Sequence, residues 1–139
     1  MLVLTSTVTY HGSVQALKGI SVHVNQGEIV ALIGANGAGK TTALRMISGL
    51  LAPRRGSITF RGKSIGGWPP EAIVRAGISQ VPEGRQVFAP LSVRDNLLLG
   101  AYTLSRRDKR AQMQEELERI YALFPVLRER AQQAAGTLS

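Results

Sequence analysis

The sequence predicts an α/β fold organised around one loop, and three observations carry that prediction. Gly34-Ala35-Asn36-Gly37-Ala38-Gly39-Lys40-Thr41 fits G-x-x-x-x-G-K-[ST] at every fixed position. An unbroken apolar run, Ile29-Val30-Ala31-Leu32-Ile33, precedes it, and Ala43, Leu44, Met46, Ile47 and Leu50 follow at helical spacing. Short alternating strands dominate the first third of the chain, and helical patterns dominate from about residue 92.

Residues 2–10 read as a strand, with Leu2, Leu4, Val8 and Tyr10 on one face and Thr5, Thr7 and Thr9 on the other. Residues 11–19 read as a connection, and Ile20, Val22 and Val24 alternate with Ser21 and His23 in a second short strand. Asn25-Gln26-Gly27 signals a turn. The run 29–33 does not alternate, so it is expected to be a strand buried on both faces. A helix from about Gly39 to Leu50 should stop before Pro53, which lacks the N–H to continue it.

Gly56-Ser57-Ile58-Thr59-Phe60 alternates and is closed by Arg61-Gly62. Trp68, within Gly66-Gly67-Trp68-Pro69-Pro70, reads as a loop anchor. A short helix over 71–76 ends at Gly77, and Ile78-Ser79-Gln80-Val81 reads as a brief strand. The chain from Pro82 to Pro90 is irregular. Ser92-Val93-Arg94-Asp95 is a capping box opening a helix through Leu97–Leu99. Residues 106–124 are expected to be helical, with Met113, Leu117, Ile120 and Phe124 as the packing stripe. Pro125 breaks that helix, and a last helical piece runs to about Ala135.

Composition narrows the classes of function. With no cysteine, disulfide frameworks and thiolate metal sites are excluded. No apolar run is long enough to span a bilayer, and Met1-Leu2-Val3-Leu4 lacks the basic start of a signal peptide, so a cytosolic protein is the default expectation. The formal charge of +8 raises a nucleic-acid surface. The basic residues are dispersed, as Arg54/Arg55, Arg61/Lys63, Arg106/Arg107/Lys109/Arg110 and Arg128/Arg130, without interleaved aromatics. No nucleic-acid partner is expected.

The loop's chemistry follows from its residue types. A helix N-terminus presents unpaired N–H groups and partial positive charge. Glycines let those N–H groups curve around a phosphate with no Cβ in the way. Lys40 supplies a point charge for the β- and γ-phosphates, and the Thr41 hydroxyl supplies one ligand for Mg²⁺.

The stretch from Asn25 through Gly34, Ala35, Asn36, Gly37, Ala38, Gly39, Lys40 and Thr41 to Thr42 resembles the ATP-binding subunit of an ABC transporter. So do Gly56–Phe60 and Leu91-Ser92-Val93-Arg94-Asp95-Asn96-Leu97. Ala35–Gly39 and Val81-Pro82-Glu83-Gly84-Arg85-Gln86-Val87-Phe88 are most similar to the branched-chain amino acid import subfamily. The resemblance implies a P-loop NTPase core of ABC type. It implies an N-terminal antiparallel β subdomain with a Q-loop-like region within 1–91, the start of a helical subdomain at 92–139, and truncation after that.

The same resemblance implies roles. Tyr10 stacks on adenine, Gly34 to Thr42 hold the triphosphate of ATP, and Thr41 holds Mg²⁺. Glu83 stands where most of the family carry a metal-contacting Gln, and Gln80 lies three residues too early for that role. Phe88, Ala89, Pro90 and Leu91 form an apolar patch for an integral-membrane permease, and a second ATPase subunit completes the site. Leu138-Ser139 matches the start of the family's Leu-Ser-Gly-Gly signature. The Mg²⁺-ordering aspartate, the water-polarising glutamate and the switch histidine lie further along the family pattern, and His11 and His23 do not replace the last. The expectation is an ATPase subunit on the inner face of the membrane, with no catalytic residue within these 139. The isolated chain should be inactive and prone to aggregate or fold loosely, because the family's central sheet puts a further strand beside 29–33. The alternatives are a soluble ABC-type ATPase acting on nucleic acid or ribosomes, and a non-catalytic nucleotide-binding fragment.

Overall fold

In the computed structural model, which describes residues 1–84, 86–103 and 109–138, the chain divides into two units, Met1–Gln80 and Val81–Ser139. The first is built on a four-stranded antiparallel sheet in the order β2-β1-β3-β4, where β1 is Leu2–His11, β2 Val14–Val24, β3 Arg55–Phe60 and β4 Lys63–Ser64. β1 and β2 form a long hairpin, with His11 opposite Val14 across Gly12-Ser13. The expected connection over 11–19 is therefore mostly strand. Lys18 and Gly19 obscured it, because their polar and turn-prone character reads as loop, although Lys18 pairs with Val8 and Gly19 lies at the irregularity before the Ile20–Thr7 pair. Residues Arg61 and Gly62, expected as a closure, are a two-residue turn into β4.

The faces of β1 differ from simple alternation. Leu4, Thr7 and Thr9 are buried, whereas Tyr10 is exposed. The register slips between Leu4 and Thr7, where Ser6 has φ 45°, so an irregularity switches the inward parity from even to odd residues. Both buried threonines are satisfied: Thr7 Oγ1 donates to the Ile20 carbonyl and Thr9 Oγ1 to the Ala52 carbonyl, each at 3.0 Å. A methyl group packs inward while the hydroxyl keeps a partner.

Two helices pack on this sheet, α1 over Lys40–Ile47 and α2 over Pro70–Ala76. Leu4, Leu17 and Ile58 from the sheet, Ala43 and Met46 from α1, Ile73 from α2 and Ile65 make one buried cluster. Pro70 opens α2 at a position that needs no N–H, and Gly77 closes it at φ 102°. Trp68 is half-buried against the cluster, in keeping with an anchor.

Two expected strands are absent. Residues 29–33 are not paired, and Ile29 and Ile33 are 97% and 95% exposed. An apolar run becomes a strand only when a neighbour accepts its hydrogen bonds, and no described residue does so here. Residues 78–81 are likewise irregular, and Gln80 instead takes a hydrogen bond from Ser48 Oγ at 2.5 Å.

The second unit holds α3 (Val93–Gly100), α4 (Lys109–Leu123) and α5 (Pro125–Glu129), with buried Val93, Leu117, Tyr121 and Ala135. The capping box forms: Ser92 Oγ accepts from the Asp95 N–H at 3.0 Å. Residues 106–108, the start of the helix expected over 106–124, lie outside the described residues. The stripe holds through Leu117, but Tyr121 is the second buried residue of α4, and Phe124, just past its end, is exposed. Pro125 ends that helix and opens the expected last helical piece, which stops at Glu129 rather than about Ala135, before a 3₁₀ turn at Ala135–Thr137.

Candidate functional site: the loop before α1

The loop 34–41 leads into the N-terminus of α1. Gly39 is the N-cap residue, at φ 93° and ψ 6°, and makes no side-chain cap. A Cβ there would lie 2.5 Å from Leu17 Cδ2 and 2.9 Å from the Ala16 carbonyl oxygen. The glycine thus does two things: it adopts a conformation that L-residues avoid, and it lets β2 press against the start of the helix. Gly37 is also at positive φ, 82°, but faces open space. The Ala38 N–H donates to the Ala35 carbonyl at 3.1 Å and the Ala43 N–H to that of Gly39 at 2.8 Å. Gly34 brings its backbone close to the Ala38 methyl, where a Cβ would sit at 3.1 Å.

Lys40 curls back over this arc. Its Nζ donates to the carbonyls of Gly34 at 2.7 Å and Ala35 at 2.9 Å. An ammonium has three N–H donors, so two brace the loop and one is left for a ligand. The first turn of α1 contains no acidic residue. Its leading N–H groups have no intrahelical acceptors, and the helix dipole adds positive potential there. Thr41 is exposed, whereas Thr42 is buried. Backbone donors, a cation and a hydroxyl with no opposing carboxylate fit an oligophosphate and one ligand of its divalent cation.

Tyr10 lies next to this end of the hairpin. It pairs with Gln15, one residue from the Ala16 carbonyl that abuts Gly39, and its side chain is partly exposed. Glu83 is exposed and belongs to the second unit, as do Phe88, Ala89, Pro90 and Leu91.

In that unit, the turn 88–91 is held firmly. Asn96 Oδ1 accepts from the Phe88 N–H at 2.9 Å, and its Nδ2 donates to the carbonyls of Phe88 at 3.1 Å and Ser92 at 3.0 Å. From the other side, the Gly136 N–H donates to the Ala89 carbonyl at 3.0 Å and the Ala135 N–H to that of Leu91 at 2.9 Å. Phe88 remains 62% exposed on this braced turn. Sequence reasoning missed Asn96 and the Ala16–Leu17 wedge. Asn96 sits one residue past the capping box, where Asn is an ordinary helix residue, and no local signal marks Leu17 as a partner of Gly39.

A mixed sheet-and-helix unit with a glycine-lysine phosphate loop at a helix start defines a P-loop nucleotide-binding protein. The family model described as "ABC transporter" matches residues 17–139, and the chain belongs to that family. Over all 139 residues it is 46% identical to the high-affinity branched-chain amino acid transport ATP-binding protein BraG of Pseudomonas aeruginosa, covering 58% of that protein. Among solved structures, an ATP-binding cassette of an ABC transporter superposes with a TM-score of 0.83 at 29% identity, over the whole chain and 59% of the cassette. The ADP conformation of such a cassette gives 0.78 at 28% identity, again over the whole chain and 59% of its own length. The chain therefore spans less than two thirds of these relatives. No described helix is long and apolar enough to cross a membrane.

Proposed function

We propose that the chain forms the nucleotide-binding part of an ATP-hydrolysing subunit that powers import of branched-chain amino acids. The observation that carries the reading is 46% identity, over an alignment of all 139 residues, to a high-affinity branched-chain amino acid transport ATP-binding protein. Gly34 to Thr42 take the phosphates of ATP, Lys40 pairs with the β- and γ-phosphates, and Tyr10 stacks on the base. Bound Mg²⁺ would supply charge neutralisation for phosphoryl transfer, with Thr41 as one of its ligands.

The braced turn at Phe88–Leu91 is the contact for an integral-membrane permease, and a second ATPase subunit closes on the bound nucleotide. This places the protein peripherally on the inner face of the cell membrane. Disruption of the gene in its host should abolish energy-dependent uptake of labelled leucine, isoleucine and valine. Unchanged uptake of all three would overturn the transport assignment. The 139-residue chain itself is expected to bind Mg-ATP without sustained turnover, and steady phosphate release by it would contradict this part of the proposal.

A further inference from the structure

The first unit contains a second recess, away from the phosphate loop. It is a cleft of about 380 Å³ whose lining includes Phe60, Arg61, Lys63, Ile65, Trp68 and Arg75. Ile65 is buried and Phe60 and Trp68 are half-buried, which gives apolar walls. Three cations stand around them. The Arg61 guanidinium lies 5.0 Å from the Phe60 ring centroid, a cation–π geometry that holds it in place. Lys63 follows on β4 and Arg75 comes from α2. None of the three forms an ion pair among the described residues, and Glu71, one turn before Arg75 on α2, does not pair with it. Phe60, Arg61 and Lys63 are neighbours in the sequence around the β3–β4 turn, and α2 brings Arg75 to the same cleft.

Three like charges around a small apolar hollow repel one another, and an anion seated among them relieves that repulsion. The size falls within the range of small-molecule sites, which combine apolar walls with a few polar groups. A free phosphate would use the charges and leave the rings uncovered; an uncharged ring would do the reverse. We propose that this cleft binds a small planar ring compound carrying a phosphate or carboxylate group, the ring against Trp68 and Phe60 and the anion among Arg61, Lys63 and Arg75. The Trp68 carbonyl abuts Gly49, where a Cβ would lie 2.5 Å away. The cleft thus adjoins the far end of α1 from Lys40, about 12 Å along an eight-residue helix.

Phenyl phosphate is a suitable probe, with binding measured by titration calorimetry and its location by emission of Trp68, the sole tryptophan. Saturable binding with a matching change in emission is expected, at least tenfold tighter than for phenol or inorganic phosphate. Lys63→Gln with Arg75→Gln should weaken it at least tenfold, and Lys63→Arg with Arg75→Lys should retain it within about threefold, which separates lost charge from lost fold. Lys40→Ala should leave it unchanged, so the result does not depend on the nucleotide assignment. The proposal is overturned by absence of saturable binding, by equal affinity for phenol, by undiminished binding to the double glutamine variant, or by loss in Lys40→Ala.

Discussion

Replacing Gly39 with alanine tests the loop's architecture most sharply, because Gly37 provides a matched control. Both glycines have positive φ, 93° and 82°. An L-residue in such a conformation costs about 1–2 kcal/mol. At Gly37 nothing lies near the added Cβ, so backbone strain is the whole cost. At Gly39 the Cβ would meet Leu17 Cδ2 at 2.5 Å and the Ala16 oxygen at 2.9 Å. Leu17 can rotate only by disturbing the core in which it is buried, and the Ala16 carbonyl belongs to β2. Overpacking of this type adds about 1–3 kcal/mol. Gly39→Ala should therefore destabilise the first unit by about 2–5 kcal/mol and Gly37→Ala by about 1–2 kcal/mol. Urea unfolding followed by Trp68 emission measures the difference, at a concentration where sedimentation shows each variant to be monodisperse. Equal losses in the two variants, within about 0.5 kcal/mol, would refute the wedge between β2 and the loop.

Other expectations rest on separate contacts. Ile29→Lys with Ile33→Thr should raise the concentration at which the chain stays monodisperse in sedimentation, since both isoleucines are almost fully exposed; unchanged aggregation would mean another surface drives it. Tyr10→Ala should weaken ATP and GTP alike by roughly 2–12-fold, the worth of about 0.5–1.5 kcal/mol of ring contact, and loss confined to ATP in a binding titration would contradict simple stacking. Asn96→Ala removes the clamp on the Phe88 turn, and amide exchange at Phe88 and Leu91 should accelerate at least tenfold; unaltered protection would show that Ala135 and Gly136 suffice.

The loop was legible because its determinants are local: glycine at the needed φ, lysine within reach, and a helix immediately after. The cap at Ser92 and the ends of α2 were legible for the same reason. What was not legible depends on partners distant in sequence. Nothing between Leu4 and Thr7 announces a slip in register, yet that slip decides which threonines are inside. The run 29–33 carries the composition of a buried strand, but a strand is a relation between segments. Gly39 was assigned to phosphate approach, and its contact with Leu17, 22 residues earlier, emerged only when the hairpin was folded beside it.

The most direct test is equilibrium binding of a fluorescent ATP analogue, with Mg²⁺, to the parent chain and to Lys40→Ala. Loss of one charge-assisted contact worth about 1.5–3 kcal/mol weakens binding by roughly 10–150-fold, and Lys40 also braces the loop through Gly34 and Ala35. Saturable binding to the parent and a loss of at least tenfold in the variant is the predicted result. Equal affinity in the two chains would contradict the assignment of Gly34–Thr41 as the phosphate site.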